Sequence, residues 1–151
     1  MGYDLYGVHA TAETGEYFRN SVWWWHPLAQ YVLDIVDMPE AERHAWHANS
    51  GQQVSARTAT QIATALHAKL TSGEVQQYAE DYAKALDALP MLPCRLCHGS
   101  GERHDDIVQG QCNACDGAGK VKDWGTHYPF DEENVKAFAE FCAESGGFVI
   151  W

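Results

Sequence analysis

Cys94-Arg95-Leu96-Cys97-His98-Gly99-Ser100-Gly101 is echoed by Cys112-Asn113-Ala114-Cys115-Asp116-Gly117-Ala118-Gly119, two copies of Cys-x-x-Cys-x-Gly-x-Gly with fourteen residues between the inner cysteines. Two residues between cysteines let one tight turn aim both thiolates at a single ion, and two facing turns complete a tetrahedron. The glycines suit such turns, because backbone amides that fold over sulfur often need positive φ. The expected cofactor is therefore one zinc ion held by Cys94, Cys97, Cys112 and Cys115. Four protein ligands fill the tetrahedron and leave no position for water or substrate, so the expected role is structural. Disulfides or a redox Cys-x-x-Cys are the competing readings, but they give no reason for the duplicated spacing. His98 and His104 lie close enough in sequence to act as substitute ligands. Cys142, the fifth cysteine, falls on the apolar side of an expected helix and reads as a small buried hydrophobe.

The doubled motif resembles half of the cysteine-rich region of DnaJ-type co-chaperones, which carry four copies and two zinc ions. The resemblance implies a metal site and no activity, since His26-Pro27 is followed by Leu28 and not by the Asp of a J-domain. Pro90 and Pro93 bracket the entry to this region. We read residues 91–124 as a zinc-binding lobe inserted within a single domain, 1–151. Asp105 to Gln111 and Lys120 to Trp124 are candidates for short strands around the metal.

Outside the lobe, residues 3–8 (Tyr-Asp-Leu-Tyr-Gly-Val) alternate as a strand does, and Phe148-Val149-Ile150-Trp151 is apolar and β-prone, so the two are expected to pair. Between them lies Tyr17-Phe18-Arg19-Asn20-Ser21-Val22-Trp23-Trp24-Trp25. Three successive tryptophans cannot share one face of a helix or strand. Trp23, Trp24 and Trp25 are thus read as core plugs of different directions or as anchors for a partner. Pro27 is placed at the first position of a helix carrying Leu28, Tyr31, Val32, Ile35 and Val36 inward. His44 and His47 are spaced to share a helix face, which would suit a metal or acid–base pair. Ala59 to Leu70 and Val75 to Leu89 make two apolar stripes, read as an antiparallel helical hairpin with Thr71 and Glu74 at capping-box spacing. Asp131 is the expected N-cap of a last helix bearing Val135, Phe138, Ala139 and Cys142. The fold class is α+β: a mainly helical single domain with short N- and C-terminal strands and an inserted four-cysteine zinc-hairpin lobe.

Ten Lys plus Arg against 21 Asp plus Glu give a formal charge of −11. Four thiolates outweigh one Zn²⁺ and add roughly −2 more. Such a surface is repelled by phosphate backbones, which argues against direct nucleic-acid binding and for a protein partner with a basic surface. No apolar run approaches the roughly 20 residues of a membrane span, and no signal-like segment opens the chain, so the expected setting is cytoplasmic.

Met1-Gly2-Tyr3-Asp4-Leu5-Tyr6-Gly7, Gly15-Glu16-Tyr17-Phe18-Arg19-Asn20, Val22-Trp23-Trp24-Trp25, Tyr128-Pro129-Phe130 and Ser145-Gly146-Gly147-Phe148 are similar to an uncharacterised family of small proteins encoded by phages and prophages. The resemblance implies a setting, the host cytosol, in which a small acidic product acts by binding a host protein. The functional expectation is a non-enzymatic, zinc-stabilised binding module. Inhibition of a host defence or nucleic-acid-handling protein, in the manner of an anti-CRISPR competing for a basic groove, would fit it. The alternatives are an adaptor that docks a partner through its zinc lobe, and an enzyme using His44, His47 or His127 with a carboxylate. No Ser-His-Asp order, phosphate loop or HExxH motif is present to favour the last.

Overall fold

A computed structural model describes residues 1–44 and 46–151. The chain divides into two compact units, a body of residues 1–83 and 128–151 and a lobe of residues 84–127. Among the described residues there are five α-helices and a mixture of short strands, an α+β chain. Among the described residues no helix is long and apolar enough to cross a membrane.

The body is built on a four-stranded antiparallel sheet of β1 (Gly2–Gly7), β2 (Tyr17–Ser21), β3 (Gln52–Val54) and β8 (Phe148–Ile150), in the order β2-β1-β8-β3. The expected pairing of the two ends is present, with Leu5 opposite Ile150 and Gly7 opposite Phe148. Side chains alternate across a pleated strand. Tyr3 and Leu5 of β1 accordingly turn inward with Phe148 and Ile150 of β8, and all of them are buried.

Two of these strands were not expected. In β2 the inward positions are Phe18 and Asn20, and the side-chain Nδ2 of Asn20 donates to the side-chain Oδ1 of Asn134 at 2.9 Å, which satisfies a polar group in a buried place. β3 is an edge of three residues held by β8 alone.

Helix α1 spans Val22–Ile35, so it starts five residues before Pro27, with Ser21 in extended conformation at its N-cap. Pro27 therefore sits inside the helix and not at its first position. Its ring removes one backbone donor there, a cost that the burial of Trp25, Pro27, Leu28, Tyr31 and Val32 along one face has to offset. Successive residues of a helix are about 100° apart, and the three tryptophans are spread accordingly. Trp25 is fully buried, while Trp23 and Trp24 are half-buried.

Trp25 stacks on Tyr3 at 5.3 Å and on Trp46 at 5.8 Å, and Phe138 meets both indoles edge-on. The Trp25 Nε1–H donates to the Trp46 carbonyl at 2.7 Å. Each such ring pair contributes about 0.5–1.5 kcal/mol beyond area burial.

The short helix α2 (Glu40–Arg43) precedes β3, and α3 (Ala56–Ser72) follows it. The N-cap Ser55 accepts from the Thr58 amide at 3.2 Å. Helix α5 (Glu132–Glu144) is capped as expected, the Asp131 carboxylate accepting from the Asn134 amide at 2.8 Å. It turns Val135, Phe138, Ala139 and Cys142 inward, and α3 packs chiefly on it.

Helix α4 (Glu74–Asp87) does not fold back along α3 as the hairpin expectation had it. Gly73 is the whole junction between them, in left-handed conformation at φ 79. Reversing a helix takes two to five residues of loop. Thr71 lies inside α3, and it is the Ser72 hydroxyl that accepts from the Glu74 amide, at 3.4 Å, so the expected capping box does not form. Within the body, α4 instead sets Tyr78 and Tyr82 against Phe130, and Tyr78 also packs on Tyr31 at 4.7 Å.

Candidate metal centre

The lobe contains two pairs of short strands, β4 (Leu92–Pro93) with β7 (Lys120–Val121) and β5 (Glu102–His104) with β6 (Gln109–Gln111). Asp105, expected in a strand, makes the turn between β5 and β6. Its carboxylate accepts from the amides of Ile107 and Val108, each at 2.9 Å. Trp124–His127 forms a 3-10 turn, so the second expected strand is confined to its first residues.

Each Cys-x-x-Cys-x-Gly-x-Gly segment folds into the same knuckle. In the first, the Gly99 amide donates to the Cys94 carbonyl and the Ser100 amide to that of Cys97. In the second, Gly117 and Ala118 repeat those bonds to Cys112 and Cys115. The residue after each second cysteine takes positive φ, at His98 and at Asp116.

The knuckles lock to one another by a reciprocal pair of bonds. Cys94 N–H donates to the Gly119 carbonyl at 2.8 Å, and Cys112 N–H to the Gly101 carbonyl at 2.9 Å. This closeness decides two of the glycines. A Cβ at Gly101 would stand 2.3 Å from the Gly117 carbonyl oxygen, and one at Gly119 the same distance from that of Gly99.

The result is a buried cluster of Cys94, Cys97, Cys112 and Cys115 whose sulfurs all lie within 4.8 Å of one another. Thiolates about 2.3 Å from a tetrahedral ion are about 3.8 Å apart. The observed separations of 3.9 Å for Cys94–Cys112 and 3.7 Å for Cys97–Cys115 fit that figure, and all five cysteines of the chain are free of disulfides.

Amides supply the outer layer: Gly101 N–H points at the Cys97 sulfur and Gly119 N–H at that of Cys115, both at 3.3 Å. Burial pushes the Cys97 thiol up, but the Gly101 and Gly99 amides and the neighbouring thiols outweigh it and bring it down to about 6. Cys115 is pushed up to about 11, by burial first and then by the other thiols. Thiols so crowded share protons, and a metal cation would displace them. The cluster can hold a metal ion with no further ligand. His98 and His104 are exposed and stand outside it, His104 lying 3.7 Å from the Glu102 carboxylate. Cys142 is in the body's core, its thiol raised by burial alone.

The other candidate residues are distributed as follows. Helix α2 ends at Arg43, and His44 adopts extended backbone after it, so His44 and His47 do not share a helix face. His47 instead meets His26, with ring centroids 4.7 Å apart. The Tyr3 hydroxyl donates to the His47 carbonyl at 2.6 Å and lies 3.3 Å from His26 Nε2. His127 packs on Trp124 at 5.1 Å within the lobe. Of the candidate anchors, Trp25 is a core residue with no surface to offer, and Trp23 meets Tyr128 edge-on at 5.1 Å. The pairing of His26 with His47 was invisible to sequence spacing because the partners lie on different elements. Their only common signal is that each follows a tryptophan.

No family model, no curated protein and no solved structure matches this chain.

Proposed function

We propose that this chain is a non-enzymatic binding protein for a basic protein surface, with the four-cysteine centre as its structural zinc site. The supporting observation is how charge is divided. The body carries 5 Lys plus Arg against 15 Asp plus Glu, and the lobe 5 against 6. Most of the excess negative charge therefore sits on the body, even with the roughly −2 that a zinc-bound thiolate centre would add to the lobe. A surface of that sign speeds encounter with a basic groove and rejects nucleic acid. In the phage setting that the second resemblance implies, the target would be a host defence or nucleic-acid-handling protein, and binding would occlude its groove.

Zinc is our assignment for the ion, because soft thiolates in a closed tetrahedron favour it and leave no vacancy for catalysis. Metal analysis of the purified protein should return about one zinc per chain. A metal-free but fully folded lobe would refute the assignment.

The binding test is retention of bacterial lysate proteins on the immobilised chain at about 50 mM and about 500 mM salt, since the higher concentration shortens the screening length several-fold. The expected result is a nucleic-acid-binding protein held at low salt, released at high salt, and displaced by added duplex DNA. Retention indifferent to both would refute the proposal.

A second reading has its own observation in the lobe. Leu92, Leu96 and Trp124 are exposed hydrophobics that line a cavity of about 610 Å³ flanked by Arg95 and Lys122. An adaptor docking through this face would hold its partner at high salt.

A further inference from the structure

We propose that a cavity on the body is a cage for one guanidinium or alkylammonium group, and that its occupant is an arginine side chain of the basic partner. This inference rests on the binding function proposed above and locates a specific contact for it. The cavity holds about 440 Å³ and is lined by His26, Gln30, His47, Tyr78, Tyr82 and Tyr128, with Pro27 beside them. That volume is within the range of small-ligand sites.

Three of those residues are tyrosines, and ring faces attract cations through the quadrupole of the π-system. Two of the polar groups lining the cavity keep an unshared acceptor once their other bonds are assigned. The Gln30 side-chain nitrogen donates to the Asp34 carboxylate at 2.8 Å, which leaves the Gln30 Oε1 as an acceptor available to a guest and a negative charge beside it.

The hydrogen-bond chain also fixes the proton of His26. The one proton of the Tyr3 hydroxyl goes to the His47 carbonyl, so the hydroxyl oxygen can only accept from His26 Nε2–H. The neutral tautomer then bears its lone pair on Nδ1. Desolvation lowers the pKa of both histidines, and the proximity of His26 lowers that of His47 further, so the two rings, tilted against each other at 4.7 Å, remain neutral at neutral pH. Among the described lining residues there is no Lys, Arg, Asp or Glu. The cage is lined by aromatic rings and neutral polar groups with no fixed cation to repel a guest, on a body with an excess of carboxylates. An anion would find no donor of fixed charge here.

The probe is N-acetyl-arginine amide, titrated into the zinc-loaded full chain while the imidazole resonances of His26 and His47 are followed by NMR. A dissociation constant on the order of 1 mM is expected for so small a ligand. The citrulline analogue keeps the shape and loses the charge, and it should bind at least about tenfold more weakly, a loss in the range of a partly desolvated cation–π contact. Gln30→Lys on the exposed face of α1 should abolish binding and leave the thermal midpoint unchanged, because it puts a cation where the guest belongs. Tyr78→Leu keeps apolar bulk against Phe130 and should weaken binding several-fold.

Equal binding of arginine and citrulline probes, no response to either, or preferential binding of inorganic phosphate would overturn the proposal. A silent arginine probe together with a salt-sensitive basic partner would remove the cage and leave the binding function standing. Conversely, a cage that binds the probe while Gln30→Lys leaves partner retention unchanged would show that the partner's arginine is not its occupant.

Discussion

Among the described residues of the body, 24 buried ones form one apolar cluster around Trp25, Trp46 and Phe138, whereas the buried cluster of the lobe consists of four cysteines with Val121 half-buried beside them. The body spans both ends of the sequence and closes by β-pairing and helix packing, which is how a chain of its size gathers enough apolar area. The lobe has 44 residues. At that size a metal or disulfides usually replace the missing core. The difference teaches where each region is vulnerable: the body to lost volume, the lobe to a lost ligand.

The sharpest way to break the comparison is Cys112→Ser. It should unfold the lobe outright, because metal-binding energy is folding energy in a region with so little else. The near-ultraviolet dichroism of Trp25 and Trp46 should persist while hydrogen exchange across residues 84–127 becomes fast. A single transition that takes the body with it would show that the two regions are one cooperative unit.

The reciprocal experiment is Trp25→Ala, which should cost about 3–5 kcal/mol in the thermal or urea unfolding of the body and leave the metal content unchanged. Metal loss in step with that destabilisation would erase the distinction.

Gly101→Ala tests the lobe on a finer scale. Its φ of 80 is left-handed and its new Cβ would press on the Gly117 carbonyl, so it should weaken metal affinity by about 2–3 kcal/mol, read by competition with a chelator. Unchanged affinity would mean that the knuckles can separate without loss.

The smallest effect belongs to His26. Burial lowers its folded-state pKa, so the unfolded chain binds the extra proton first as the solution is acidified. Its contribution is complete above the ordinary histidine range and fades as pH falls through about 6.5 and below. Wild type should lose more stability between pH 7 and pH 5.5 than His26→Gln, by less than about 1 kcal/mol because the ring is only partly covered. Parallel curves would remove His26 as the cause.

How much of this was legible beforehand varied with the range of the interaction. The cysteine cluster, the strand character of each chain end and the Asp131 cap are carried by local pattern and are legible in the sequence, and two β-prone ends made their pairing an expectation although it joins Leu5 to Ile150. β2 was hidden because one inward position is Asn20, a polar residue whose place is explained only by Asn134 more than a hundred residues away. β3 was hidden because Gln52-Gln53-Val54 has no periodicity of its own and is a strand only through β8. The helical hairpin failed on a single residue, since two apolar stripes do not reveal whether Gly73 leaves enough chain to reverse direction. The cage could not be read at all. Its rings come from α1, α4 and two loops, and its acceptor character depends on where the protons of Tyr3 and Gln30 go.

The sheet has a consequence for how the chain is made. β8 lies between β1 and β3, yet it is the last of the body's strands in sequence. As the polypeptide leaves the ribosome, the first three strands emerge with the centre of their sheet missing, and the lobe emerges in full before the strand that fills the gap. Metal capture can therefore precede completion of the body. During that interval β1 and β3 present unpaired edges, and the speed at which residues 148–150 arrive sets how long those edges remain open to other chains.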